Sequence, residues 1–384
     1  MRGYSVIQQA WTKAPAPLRP VMRKLGRSIL RVAFHQATSH WQPHSRLFLM
    51  SDSSFWVISW EMRELAAIAQ RIGVRVADLR WLKHAKNQAV FYGSHFQLLE
   101  NEWLEQPHRL GTAYFHGRPG TGVPGFDMAY DNLRQHHEQI HRIQVTHTEM
   151  HDLVISSGIA PEKVFLIPIG VNLSYFHTQI PESRRRARAQ YGIPESAVVV
   201  GSFQKDGVGW GEGLQPKLVK GPDVFLRAIE ILKSCVSELF VLLSGPARGY
   251  VKAGLERLGV PYRHYFLEHY PEMGQLYQAL DVYIVASRLE GGPKAVLESM
   301  ASGVPLVTTQ VGQAVDLVQH GQNGWVVEVE DAEGLAYWAE YVVSHKDSLA
   351  DVIRRARQTA EDNSYEAQLP LWKSFMQGFV EWEQ

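Results

Sequence analysis

Two successive series of short apolar runs, separated by longer helix-periodic stretches, constrain this chain more than any other feature. In the first half the runs are RLFLMS, QAVFYGS, GTAYFHG, RIQVTHT and KVFLIPIG. In the second they are AVVVGSF, LFVLLSG, RHYFLE, DVYIVAS, PLVTTQ and GWVVEV. Such alternation predicts α/β architecture with parallel sheets flanked by helices. One helix is expected through EMRELAAIAQRIG, ended by Gly73, and others near 222–235, 272–280, 293–302 and 331–345. Between the series, residues 177–195, including ESRRRARAQYGIPES, are polar, charged and broken by proline, and read as a link. The expectation is a pair of Rossmann-like domains, 46–178 and 196–365, preceded by a basic segment 1–45 and followed by a helix within 366–384. Facing sheets of this kind leave a cleft at the carboxyl ends of their strands, where open α/β sheets bind ligands.

Length agrees, since 384 residues exceed one average domain. A chain 45% hydrophobic and 20% charged is ordinary for a soluble globular protein, which argues against disorder and a collagen-like fold. Net charge is zero, but residues 1–180 hold 19 Lys/Arg against 13 Asp/Glu, and the remainder 20 against 26. A basic front and an acidic back suggest different partners for the two halves. With Cys235 the only cysteine, an intrachain disulfide is impossible, as suits a reducing compartment. Neither a membrane-spanning run nor a signal-peptide core is evident, so a cytoplasmic location is expected.

The first 45 residues carry seven Lys/Arg and no acid. In LRPVMRKLGRSILRVAFH, helical spacing lines up Leu18, Val21, Met22, Leu25, Ile29, Val32 and Ala33, with Arg19, Arg23, Lys24, Arg27 and Arg31 opposite. A basic amphipathic helix at 18–34 either lies on anionic lipid at the inner face of a membrane or docks on its own domain.

The stretch RLEGGPKAVLESMASGVP sets Glu290 after a strand-like run and Glu298 inside the next helix. Gly291 and Gly292 permit a sharp turn, and Pro293 suits the first helical position. A helix start offers unpaired N–H groups to phosphate or sugar oxygens. Two carboxylates so spaced could hold hydroxyls at two ends of an elongated ligand. The bland readings are a Lys294–Glu298 pair one helical turn apart and a solvated loop acid at Glu290.

The longer segment SRLEGGPKAVLESMASGVPLVTTQVGQAVDLVQHGQNGWVVEVED closely resembles the signature of family-4 retaining glycosyltransferases. VFLIPIGVNLSYF, AYFHG and the Lys220-Gly221 of LVKGPDVFLRAIEIL extend the resemblance over most of the chain. It implies the GT-B fold, two facing Rossmann-like domains, and transfer of a sugar from a nucleotide diphosphate-sugar to a hydroxyl with retention. By the resemblance, Glu298 would hold the donor ribose and Glu290 would face the donor sugar. Backbone groups of Gly291, Gly292, Pro293 and Lys294 would surround the sugar's hydroxyls and phosphates. Lys220 would neutralise the departing diphosphate and His116 would hydrogen-bond the sugar. Neither metal nor cofactor is implied and no nucleic-acid partner is expected, while the basic front half suggests a glycan or lipid-linked acceptor that is anionic or membrane-bound. Three departures stand out. Ser202 takes the place of a frequent Arg, and Lys205, or else Lys217, from the inserted QKDGVGWGEGLQPKLV would replace it. The front domain has SDSSFWV in place of a Gly-Gly turn. By the resemblance Thr309–Gly312 would be a phosphate-side loop, although VGQ replaces its common Gly pair.

Two other motifs compete. HEQIHRIQVTH, 137–147, spaces three histidines as zinc proteases do, with Glu138 as base. Here Gln144 stands where a glycine turn is needed, and IQV reads as a strand that carries His147 away. GTGVPG, 120–125, fits a dinucleotide turn, but Pro119 and Pro124 favour a flexible loop beside the acceptor cleft. The alternatives to sugar transfer are therefore a zinc hydrolase and a non-catalytic nucleotide-sugar-binding protein.

Overall fold

A computed structural model describes residues 46–51, 57–99 and 102–381. The basic helix expected at 18–34 and most of SDSSFWV lie outside the described residues. The N-terminal sheet comprises β1 (Leu47–Met50), β2 (Ala89–Tyr92), β3 (Arg109–Ala113), β4 (Ile140–Val145) and β5 (Val164–Leu166). All pairs are parallel and the described strands lie in sequence order, β1-β2-β3-β4-β5. Helices α1 (Val57–Arg71), α2 (His95–Leu99), α3 (Pro124–His136) and α4 (Thr148–Ser156) connect them. α1 ends where Gly73 turns left-handed, at φ +87°.

After α5 (Pro181–Gln190) comes a six-stranded parallel sheet of β6 (Val198–Phe203), β7 (Leu239–Ser244), β8 (Tyr262–Tyr265), β9 (Val282–Val285), β10 (Leu306–Thr309) and β11 (Trp325–Val327). Helices α6 (Pro222–Cys235), α7 (Gly249–Leu258), α8 (Met273–Tyr277), α9 (Lys294–Ala301), α10 (Ala314–Leu317), α11 (Ala332–Ser344) and α12 (Ala350–Asp362) complete this domain. The order β11-β10-β9-β6-β7-β8 reverses direction between β9 and β6. Their carboxyl ends therefore border a crevice, where doubly wound sheets bind ligands. The architecture is GT-B-like, with two parallel-sheet α/β domains.

The structure redraws the link. α5 joins the second domain: Ala187, Tyr191 and Ile193 enter its core. Arg188, 1% exposed, bonds the carbonyls of Glu195 (2.7 Å), Ala197 (2.8 Å) and Ala279 (3.2 Å) and the Asp281 carboxylate (2.6 Å). Arg184 takes the other Asp281 oxygen at 2.5 Å. What reads as an interdomain link thus holds a buried Arg188 and a partly buried Arg184, both bonded to Asp281. The helix expected at 272–280 is also shorter: a 3-10 turn, Tyr270–Glu272, and then α8. Beyond it, the carbonyls of Gln278 and Leu280 turn to Gln179 Nε2, at 2.7 and 3.0 Å.

The final helix, α13 (Leu369–Met376), returns to the N-terminal sheet. Phe375 meets Phe91 edge-on at 5.5 Å and Phe165 at 5.1 Å. Arg109 and Arg142 bond the carbonyls of Phe379, Phe375 and Gln377. Trp372, Phe375 and Phe379 are core of the first domain.

Candidate active site between the two domains

Glu290 follows β9 and Lys205 follows β6, so both stand at the crevice. Lys220 ends the single turn Leu218–Lys220, and Gly221, at φ +60°, starts α6. A Cβ on Gly221 would lie 1.8 Å from the carbonyl oxygen of Ala286, so this close approach to the end of β9 requires glycine. It brings Lys220 Nζ to 2.6 Å from Glu290 Oε2, while Ser287 Oγ donates to Oε1 at 2.9 Å. Glu290, with 12% of its side chain exposed, is not a solvated loop acid.

The inserted loop is pinned. Asp206 and Arg248 form a fully buried ion pair at 3.0 Å. The amides of Gly249 and Tyr250 bond the carbonyls of Glu212 (2.6 Å) and Gly213 (2.9 Å). Arg248 also bonds the Ser202 hydroxyl at 3.1 Å. Lys205 and Lys217 flank this anchor, with Lys205 Nζ 4.2 Å from the Trp210 ring centre. Desolvation lowers the Lys217 pKa first, and repulsion from Lys220 and Lys205 lowers it further. Lys217 therefore feels both Lys205 and Lys220 where the family resemblance expects a diphosphate.

His116 reaches the same cluster from the other domain. Its half-buried ring stands among Phe126 (5.7 Å), His95 (5.8 Å) and Phe96 (6.0 Å). Burial, and then the Lys220 charge, hold its pKa down to about 4, against an opposing pull from Glu290. The imidazole is thus neutral near pH 7, able to donate at one nitrogen and accept at the other.

Gly291 and Gly292 close the domains on each other. A Cβ on Gly291 would lie 2.4 Å from the Phe115 carbonyl oxygen, and one on Gly292 would lie 2.7 Å from the Ile169 side chain. The Gly291 carbonyl accepts from Thr146 Oγ1 (2.8 Å) and from the Gln313 amide (3.0 Å). Gln313 Oε1 accepts from the Ile169 amide at 2.8 Å, so this departure from the common Gly pair supplies an interdomain bond. Thr309 turns its hydroxyl to the Ser287 carbonyl at 2.6 Å, and Gly312 packs on Gly291. Pro293 caps α9 from one position before its first residue, Lys294.

Glu298 occupies a second, drier cluster. It is 4% exposed; Tyr270 donates to Oε1 and Tyr277 to Oε2, the latter at 2.9 Å. Burial raises its pKa, against the lowering effects of Lys294 and both hydroxyls. The bland alternative, a simple Lys294–Glu298 pair, is not what forms. Lys294, its side chain 7% exposed, pairs with Glu61 on α1 and lies 3.0 Å from the Tyr365 hydroxyl. Glu61, Tyr270, Tyr277 and Tyr365 were not legible as site residues, and only Tyr270, beside Pro271 after a strand, had a local signal.

The competing motifs come apart. His137 caps the end of α3, His141 lies within β4, and His147 is buried before α4, its Nδ1 3.0 Å from Thr146 Oγ1. Among the described residues no group of three His, Cys, Asp or Glu could hold a metal. In GTGVPG, Gly120 and Gly122 lie in an open, left-handed loop with no atom within 4 Å of a built Cβ.

Residues 215–359 match the family model for glycosyl transferases group 1. That segment is similar to the group 1 glycosyl transferases. The chain is 31% identical over 256 residues to a D-inositol 3-phosphate glycosyltransferase of Saccharomonospora viridis, covering 61% of this chain and 55% of that protein. To the enzyme of that name from Corynebacterium efficiens it is 28% identical over 227 residues, 56% and 50% of the two chains. The chain thus spans about half the length of the curated relatives it matches. Among solved structures, Anabaena Alr3699/HepE with UDP and glucose superposes at a TM-score of 0.68 and 16% identity, over 87% of this chain and 99% of that one. A Rickettsia africae glycosyltransferase does so at 0.60 and 17%, over 88% and 99%. These likenesses support the two-domain fold. Among the described residues no helix is long and apolar enough to cross a membrane.

Proposed function

We propose that this protein is a glycosyltransferase that moves a sugar from a nucleotide diphosphate-sugar to a hydroxyl of a glycan or lipid-linked acceptor. It does so with retention of configuration and without a metal ion. The observation that carries the reading is the gathering of Lys205, Lys217 and Lys220 at the crevice of the second sheet, beside Glu290 and opposite His116. A departing nucleoside diphosphate develops negative charge, and preorganised cations in a desolvated cleft stabilise it. Glu290, oriented by Lys220 and Ser287, accepts from donor-sugar hydroxyls, and neutral His116 bonds the sugar from the acceptor side. Glu298 holds the ribose. The bond from the anomeric carbon to the diphosphate oxygen breaks as the acceptor oxygen bonds to the same face. The acceptor proton passes to the departing phosphate.

The names of the relatives point to an inositol phosphate as one acceptor to try, and UDP in the Anabaena complex makes UDP-glucose the first donor. The basic front half suits an anionic acceptor, and the sequence at 18–34 suits contact with an anionic membrane surface. The decisive experiment is a thermal-shift panel of UDP, GDP, ADP, CMP and dTDP with and without EDTA, on wild type and Glu298→Ala. Donor hydrolysis is followed in parallel. A nucleotide-selective rise that survives EDTA and is lost in the variant, together with slow donor hydrolysis, supports the reading. Binding without transfer or hydrolysis would leave a nucleotide-sugar-binding protein instead.

A further inference from the structure

The carboxylate that this reading gives to the ribose is already engaged. Both oxygens of Glu298 accept tyrosine hydroxyls, yet the two tyrosines are held differently. Tyr277 is part of the second domain's core, fully buried, edge-on to Phe203 at 5.0 Å and stacked on Tyr283 at 5.3 Å. Tyr270 stands on a single 3-10 turn, next to the exposed residues Glu268 and His269. Its ring leans on Trp60 of α1, in the other domain, with centres 4.7 Å apart. The Lys294 ammonium lies 5.1 Å from the same ring and is paired with Glu61, also on α1. Tyr365 donates to both Glu61 oxygens, at 2.7 and 2.9 Å.

We propose that Tyr270 sets donor affinity by occupying the ribose position on Glu298, so that a nucleotide binds only by displacing its hydroxyl. The inference rests on the ribose assignment of Glu298. Each Glu298 oxygen could accept a second hydrogen bond, but at 4% exposure the carboxylate has no room for a ribose diol until the Tyr270 hydroxyl moves away. Packing fixes Tyr277, so Tyr270 is the one that moves. Because Trp60 and the Glu61–Lys294 pair back it from the opposite domain, its release goes with a parting of α1 from α9. Donor entry is thereby tied to opening of the cleft. Burial and the adjacent Glu298 push the Tyr270 pKa well above its ordinary value, so the phenol remains a donor at working pH.

Calorimetric titration of the full chain with UDP, GDP and ADP tests this in wild type, Tyr270→Phe, Trp60→Ala and Glu298→Gln. Tyr270→Phe keeps the ring and loses only the competing hydroxyl. It should bind the preferred nucleotide about fivefold to tenfold more tightly, the worth of one hydrogen bond. Trp60→Ala, which frees the same ring, should shift affinity in the same direction. Unchanged or weaker binding by Tyr270→Phe, with a melting profile like wild type, overturns the inference. If Glu298→Gln binds as wild type does, the ribose assignment fails instead. Weakened Glu298→Gln beside an unimproved Tyr270→Phe leaves that assignment standing and removes only the competition. If none of the three nucleotides binds any variant, both fall.

Discussion

The imidazole of His116 offers a measurement in which stability reports on the site. A free histidine titrates near pH 6.5, whereas burial and Lys220 hold this one at about 4. Above pH 7 it is neutral in the folded and unfolded chains alike and contributes nothing. As pH falls from about 6.5 to about 4, the unfolded chain takes up a proton that the folded chain refuses, so stability is lost across that window. Below about 4 both forms are protonated and the loss is complete. A depression of this size corresponds to about 3 kcal/mol. His95, His108, His141, His147 and His264 are also lowered by burial, so wild type alone cannot isolate the effect. The comparison is wild type against His116→Gln, by urea unfolding at pH 7.5 and pH 4.5. The variant should lose about 2 kcal/mol less than wild type between the two conditions. NMR of the ring proton should place the titration near 4, and Lys220→Met should move it upward. Equal acid losses in the two proteins, or a midpoint near 6.5, would refute the account of a desolvated ring beside a cation.

Other outcomes follow from contacts already described. Lys220→Met should lower turnover about 100-fold or more in a donor-hydrolysis or transfer assay, and turnover within threefold of wild type would remove Lys220 from the leaving-group role. Asp281→Asn leaves the buried Arg188 guanidinium without its anionic partner. The expected cost is about 3 kcal/mol by chemical denaturation, and a loss below 1 kcal/mol would mean that its carbonyl bonds suffice. Gly291→Ala drives a methyl group into the Phe115 backbone. It should destabilise the closed arrangement by about 1–3 kcal/mol and abolish transfer, while far-UV circular dichroism stays native.

Most of the parallel strands were legible because they are compact apolar runs flanked by turns, although β8, YRHY, is not. The helix at Pro222–Cys235 kept its expected limits, since proline opens it and its apolar stripe is continuous. Around Glu290 the sequence was informative for a related reason: Gly221, Gly291 and Gly292 are local, and each marks a backbone approach that a side chain would block. Other features depend on distance along the chain. Lys294 has an acid one turn away in its own helix, yet the acid it pairs with is Glu61, joined only after both domains have folded and met. Arg184 and Arg188 read as part of an interdomain link because Asp281 and the carbonyls they satisfy come from elements that a linear reading does not bring together. The tyrosines around Glu298 are similarly unremarkable as a string. Their meaning is a three-body arrangement.

The return of α13 to the first sheet has a consequence during synthesis. The face of that sheet containing Phe91 and Phe165 is complete once Leu166 has been added, but the helix that covers it begins at Leu369. About 200 residues separate the two, which at ordinary translation rates is roughly 10–40 s. Throughout that interval Phe91 and Phe165 lack the cover of α13 on the ribosome while the second domain emerges. A stalled ribosome or a premature stop before Leu369 would thus endanger the domain made first, although its own strands are intact.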